Sequence, residues 1–165
     1  MFELKPITRD GIPRALEKAE RYRLLNEPSD AESICLDVLA VEPDNQKALV
    51  TMLLAVTDQF DGFTVDAGRA HEVLHRLRGD YERAYYAGII SERKAKAQVK
   101  KGGPGSGYVA YDSFQEAMAS YERAQALRPA GNDDSILRWN ACARTLMDHP
   151  FIRPAPEERV EHPLE

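Results

Sequence analysis

The residues best placed to do chemistry in this sequence are His71, Glu72 and His75, in the run HEVLH. Two histidines four positions apart stand one above the other on a helix, so both imidazoles reach one ion. The glutamate beside them is then in place to activate a metal-bound water, which is the chemistry of a zinc-dependent hydrolase. A catalytic zinc needs a third protein ligand, and the sequence does not continue with the Gly and His of the metzincin pattern. Of the downstream carboxylates, a hairpin turning near Gly79 carries Glu92 past both histidines, to the level of Asp66. Glu82 lies closer but opens the next helix. No strand pattern that would hold an extended substrate accompanies the motif. The simpler reading turns Ala70, Leu74 and Leu77 inward and leaves His71, Glu72 and His75 on the outer face, which makes the zinc hydrolase the alternative function rather than the principal one.

The other chemical signals are weaker. GSGYVA, from Gly105 to Ala110, has the letters of a dinucleotide loop but follows a lysine-rich helical stretch instead of a strand, so the setting that gives those glycines their role is missing. No phosphate loop of the GxxxxGK[ST] kind occurs, and no cofactor is expected. Ser29 and Ser113 read as helix caps. Cys35 and Cys142 fall at helical positions that want a small apolar residue, so two buried free thiols are expected rather than a disulfide or a metal pair. Arg93 to Lys101 carries five positive charges and no negative one. At the end of a helix such a run suits the negative pole of the dipole and reads as a solvated face.

Composition narrows the function classes. With 165 residues, 43% hydrophobic and 30% charged, the chain is expected to form one domain that buries roughly 70% of its unfolded surface. A net charge of −5 argues against indiscriminate nucleic-acid binding, which needs a dense basic footprint. No apolar run approaches the roughly 20 residues of a membrane span, and MFELKPITRD lacks the basic-then-apolar order of a signal peptide. A cytoplasmic address is the expectation.

The elements that would position these residues are helices. Phe2, Leu4 and Ile7 are available to cover the end of a first hairpin, with Asp10 as N-cap and Pro13 in the first turn of a helix reaching about Asn26. In SDAESICLDVLAVEPDNQKAL, Ala31, Cys35 and Val38 share one helical face. Ser29 and Glu32 read as a capping box, and Pro43 ends the helix. The next helix restarts behind Asp44 with a broad stripe of Leu49, Met52, Leu53, Val56 and Phe60. A longer connection, with Thr64 and Asp66 as caps, leads to the HEVLH helix. From Asp80 to about Lys101 the register is open: Ala84 with Gly88, or Tyr85 with Ile89, is the pair facing the next helix. GGPGSG then makes a flexible loop over Gly102 to Gly107. A helix from about Tyr108 or Asp112 to Leu127 follows, then a closing helix from about Asn132 to Met147 with Trp139, Ala143 and Leu146 on one face. The domain is expected over 1–147, with a proline-rich extended tail over 148–165.

The order Ala31, Cys35, Val38, Pro43, preceded by Ala19 and Tyr22, resembles a tetratricopeptide repeat. Phe114, Ala117, Tyr121, Ala124 and Pro129 repeat the second-helix pattern, and Ala70, Leu74 and Leu77 repeat its spacing without the proline. The resemblance implies an all-α fold: a tetratricopeptide-like antiparallel helical hairpin array, a right-handed α-solenoid of about three hairpins with a closing C-terminal helix. It also implies a non-catalytic protein-protein interaction or scaffold module, binding a peptide or protein in a concave groove lined by the first helices of successive pairs. By that analogy the groove residues are Leu16, Glu20 and Arg23, then Val50, Leu54 and Asp58, then Tyr85, Ile89 and Arg93. The subclass that grips terminal carboxylates uses Lys and Asn where this chain has Leu16, Glu20 and Thr51, so that ligand class is disfavoured. A groove filled by the chain's own tail is the remaining competitor.

Overall fold

The computed structural model describes residues 1–61 and 65–157. Among them are seven α-helices and no strand: α1 Ile12–Leu24, α2 Pro28–Val41, α3 Gln46–Asp58, α4 Ala67–His75, α5 Asp80–Lys101, α6 Ser106–Leu127 and α7 Asp134–Asp148. Each helix packs on the next in sequence, and α3 also touches α1 and α5. The odd-numbered helices α1, α3 and α5 therefore share one layer. Among the described residues, no helix is long and apolar enough to cross a membrane.

Local chemistry explains most of the boundaries. A 3₁₀ turn, Arg9–Gly11, precedes α1, and its cap is Thr8, whose Oγ1 accepts from the Gly11 amide at 3.1 Å. The expected cap, Asp10, lies inside that turn. The chain leaves α1 through Asn26, two residues past its end, whose φ of 60° is the left-handed geometry Asn tolerates just beyond a helix C-terminus. The amide of Glu27 then reaches back to the Tyr22 carbonyl at 2.8 Å. The capping box expected at Ser29 and Glu32 does not form. Pro28 takes the first helical position and moves the start ahead of Ser29, which frees the Glu32 carboxylate to accept from Gln59 at 2.7 Å and to pair with Arg69. That carboxylate thus ties α2 to the ends of α3 and α4. Asn45, not Asp44, caps α3, its Oδ1 accepting from the Ala48 amide at 2.9 Å. Asp66 caps α4 as expected, through the Arg69 amide; Thr64 lies outside the described residues.

Burial follows the spacing. Ala19, Ala31, Cys35, Val38, Ala48, Leu49 and Leu53 form a first core cluster with Ala70 and Leu74. Phe114, Ala117 and Tyr121 form a second with Ile89 and Cys142. Tyr86 packs against both. The fully buried alanines let helices approach closely while the larger residues fill the space between. On α7 the inward residues are Ser135 and Cys142, with Trp139 and Leu146 half-buried alongside. Cys142 holds the place expected for Ala143.

Two glycines settle the second half of the molecule. A Cβ on Gly88 would stand 2.4 Å from the Tyr121 ring, so α5 meets α6 through Gly88, with Ile89 and Ile90 buried beside it. That fixes the open register of α5. At the other end, the loop is shorter than expected: Gly105 takes a left-handed φ of 78° as N-cap, and Ser106 and Gly107 already belong to α6. A Cβ on Gly107 would stand 2.3 Å from the Phe151 carbonyl oxygen. A turn at His149–Ile152, with Pro150 in its second position, folds back there and buries Ile152 in the second cluster. Packing therefore continues past the expected limit at 147. Residues 158–165 of the expected tail lie outside the described residues.

These contacts predict opposite signs for two glycine substitutions. Gly88→Ala should destabilise by about 1–3 kcal/mol, because the buried Tyr121 ring has no free space to retreat into. Gly68→Ala, whose Cβ meets only the Asp66 carboxylate at an ordinary 3.8 Å, should stabilise by about 0.4–1 kcal/mol. Urea denaturation of both variants reads the two signs. Equal effects would mean that α5 and α6 do not meet at Gly88.

Candidate functional groove

The layer of α1, α3 and α5 carries a depression of about 540 Å³. Helix α1 contributes Glu20, Arg23 and Leu24, helix α3 contributes Lys47, Val50, Thr51 and Leu54, and helix α5 contributes Tyr86. Four residues expected from sequence, Glu20, Arg23, Val50 and Leu54, converge here. Leu24 is 87% exposed, an unusually bare apolar side chain at the mouth.

Asp58 and Arg93 belong to the same layer. Asp58 Oδ2 accepts from Arg23 Nε at 2.8 Å, while Asp58 Oδ1 accepts from Arg93 Nη1. Arg93 Nη1 also donates to the Leu54 carbonyl at 3.0 Å and to Thr57 Oγ1 at 2.8 Å. Burial lowers the Arg93 pKa, and the Asp58 charge opposes that shift. One carboxylate between two guanidinium groups leaves a net positive charge beside Leu54. Nearer the mouth, Glu20 and Lys47 stand 3.7 Å apart and about half exposed. Such a pair adds little stability but sets charge at the rim.

Three expected groove residues lie elsewhere. Leu16 is 5% exposed, in the inward stripe with Ile12 and Ala19. Glu20, Arg23 and Leu24 are therefore the outward face of α1. Ile89 is 3% exposed in the second cluster. Tyr85 is half-buried among rings, 5.1 Å from Tyr86, 5.8 Å from Tyr121 and stacked on Tyr81. Tyr86 takes its place in the groove because Gly88 turns Ile89 and Ile90 inward. Leu24 was legible one turn beyond Glu20, and Tyr86 two turns before Arg93.

The remaining chemical candidates lie outside this groove. His71, Glu72 and His75 lie on the exposed side of α4, with Ala70, Val73 and Leu74 buried beneath. Among the described residues, no group of three or more His, Cys, Asp or Glu side chains converges to hold a metal ion. Glu92 is buried, accepting from the Tyr121 hydroxyl at 2.6 Å and from Lys96 Nζ at 2.6 Å. Arg138 Nε stands 3.2 Å from it, an ion pair without hydrogen-bond alignment. Glu92 thereby ties α5, α6 and α7, and burial together with its charge raises the Tyr121 pKa. Glu82 folds over Gly79 at the start of α5. The GSGYVA letters open α6 behind helix α5, and Ala110 is buried. Both cysteines are free and buried, and desolvation pushes each thiol up to about 12. Neither is a nucleophile near neutral pH.

Compared with known proteins, the sequence matches no family model, and neither the curated proteins nor the solved structures give a match.

The exposed histidine pair predicts the metal content. The protein as isolated should hold no stoichiometric zinc, because two histidines without a convergent third ligand leave a tetrahedral site open. Elemental analysis giving about one zinc per chain, lost in His71→Ala, would contradict this and promote the hydrolase reading.

Proposed function

We propose that the chain is a non-catalytic protein-protein interaction or scaffold module of the tetratricopeptide-repeat type, binding a peptide or protein segment in the groove over α1, α3 and α5. The observation that carries this reading is the convergence of Leu24, Val50, Leu54 and Tyr86 on one open surface, between the Glu20–Lys47 pair and the Arg23–Asp58–Arg93 cluster. Apolar groups offer area to bury, and a half-exposed tyrosine adds area with few rotors. The charges at either end select among ligands by sign. The favoured ligand is an extended segment with apolar side chains and an acidic residue near Arg23. Two unpaired buried cysteines fit a reducing, cytoplasmic setting.

Selection of binders from a displayed random-peptide library, followed by affinity measurement on the full chain, tests the reading. Leu24→Glu changes an exposed side chain and should leave helix content and melting temperature unchanged. It should weaken the selected peptides about tenfold or more. Folded Leu24→Glu protein with unchanged affinity would place recognition on another face.

A further inference from the structure

Three arginines from three helices draw together at one end of the groove. Arg23 of α1 and Arg93 of α5 share Asp58, and Arg138 of α7 reaches the buried Glu92 of α5 at 3.2 Å. Burial lowers the Arg93 pKa, and although Asp58 opposes this, the charges of Arg23 and Arg138 push it further down. Arg93 therefore lies within electrostatic reach of both. Lys96 joins the cluster, 2.6 Å from the Glu92 carboxylate. Four cations thus share two carboxylates, an excess of two positive charges on a chain whose net charge is −5.

We propose that this cluster seats a phosphorylated side chain, so that the groove binds a segment carrying phosphoserine or phosphothreonine. The inference rests on the reading of the groove as a binding surface, and it specifies the acidic residue of that ligand. A phosphate monoester carries about −1.5 to −2 charges near neutral pH and three acceptor oxygens, which matches the excess, whereas a carboxylate offsets half of it. The donors are also of the right kind, because guanidinium forks pair bidentately with phosphate oxygens. Arg23 meets Asp58 through Nε and Arg93 through Nη1, so Nη1 and Nη2 of Arg23 and Nη2 of Arg93 are not spent on that carboxylate. Arg138 Nε is buried without a hydrogen-bond partner. The cluster is short of acceptors.

Its setting suits an incoming anion. The three arginine side chains are 20%, 21% and 32% exposed, open enough to be reached and shielded enough for charge to act more strongly than in water. Burial raises the pKa of Tyr85 and of Tyr86, while Arg138 lowers the first and Arg23 the second. Both phenols remain protonated donors within reach of these charges. Arg23 also lines the apolar groove, and Arg93 Nη1 donates to the Leu54 carbonyl at 3.0 Å. One bound segment can therefore set a phosphate here and apolar side chains on Leu24, Val50 and Leu54.

The test selects on the full chain from a peptide library with one fixed phosphoserine among random residues. Calorimetry then compares the best peptide with versions carrying serine or glutamate at that position. Both replacements should weaken binding about tenfold or more. Nitrogen-15 spectra of the arginine Nε–H groups should shift at Arg23, Arg93 and Arg138 with the phosphopeptide. Arg138→Lys keeps a positive charge beside Glu92 and removes the fork, so it should stay folded and weaken the phosphopeptide about tenfold without changing affinity for the serine version. If that variant unfolds, the arginine spectra of the unsubstituted chain decide. Equal affinity for the phosphoserine and serine peptides would overturn the proposal, even if inorganic phosphate alone shifts the arginines. Equal affinity for the glutamate version would overturn it too, since the cluster would then be a carboxylate site. So would a phosphoserine preference that leaves the three arginines unshifted, which would place the phosphate on another surface. If the proposal is overturned while Leu24→Glu still weakens peptides selected without phosphate, the groove keeps its role. A phosphoserine preference lost in Arg138→Lys but indifferent to Leu24→Glu would uphold the cluster and remove the groove.

Discussion

Asp58 stands at the end of α3 with Arg23 of α1 on one carboxylate oxygen and Arg93 of α5 on the other. The three helices that line the groove therefore meet on a single charge. Breaking a fully buried ion pair from one side destabilises by about 3–5 kcal/mol, because the partner is left charged and unsolvated. Here each side chain keeps about a fifth of its exposure, so the effect is smaller. It is nonetheless directional. Removing Asp58 leaves two guanidinium groups facing one another, and repulsion acts on the separation between α1 and α5 that sets the groove's width.

The second half of the molecule is held by a different device. Gly88 lets the Tyr121 ring lie directly on α5, and the same ring delivers its hydroxyl to the buried Glu92. Close approach and hydrogen bonding are thus satisfied by one side chain. The carboxylate would be expensive to bury alone, but Lys96, Arg138 and the phenol surround it. This arrangement decides which face of α5 turns inward, and so it places Tyr86 in the groove and Tyr85 in the ring cluster. The groove's α5 wall is a consequence of a contact on the other side of that helix.

What was legible in the sequence was spacing within a helix. Ala31, Cys35 and Val38, or Phe114, Ala117 and Tyr121, are three and four apart, and a buried face requires that. What was not legible was the phase of a helix against its neighbour. Leu16 and Ile89 satisfy the spacing of groove residues as well as Glu20 and Tyr86 do, and only packing on α2 or α6 separates them. Non-local contacts were equally hidden. Pro28 displaced a capping box that reads correctly as a motif, and Glu32 was recruited by Gln59 and Arg69 from distant elements. GGPGSG reads as a loop throughout, because nothing near Gly107 announces that the Phe151 carbonyl will lie on it.

The groove is thus already formed in the chain alone, with Asp58 bridging the helices on either side of it. Hydrogen exchange on Asp58→Ala beside the unsubstituted chain measures this directly. Faster exchange is expected in the C-terminal turns of α1 and in the stretch of α5 around Arg93, with the amides of α6 and α7 unchanged. Uniform acceleration along the whole chain, or no change in α1 and α5, would contradict it.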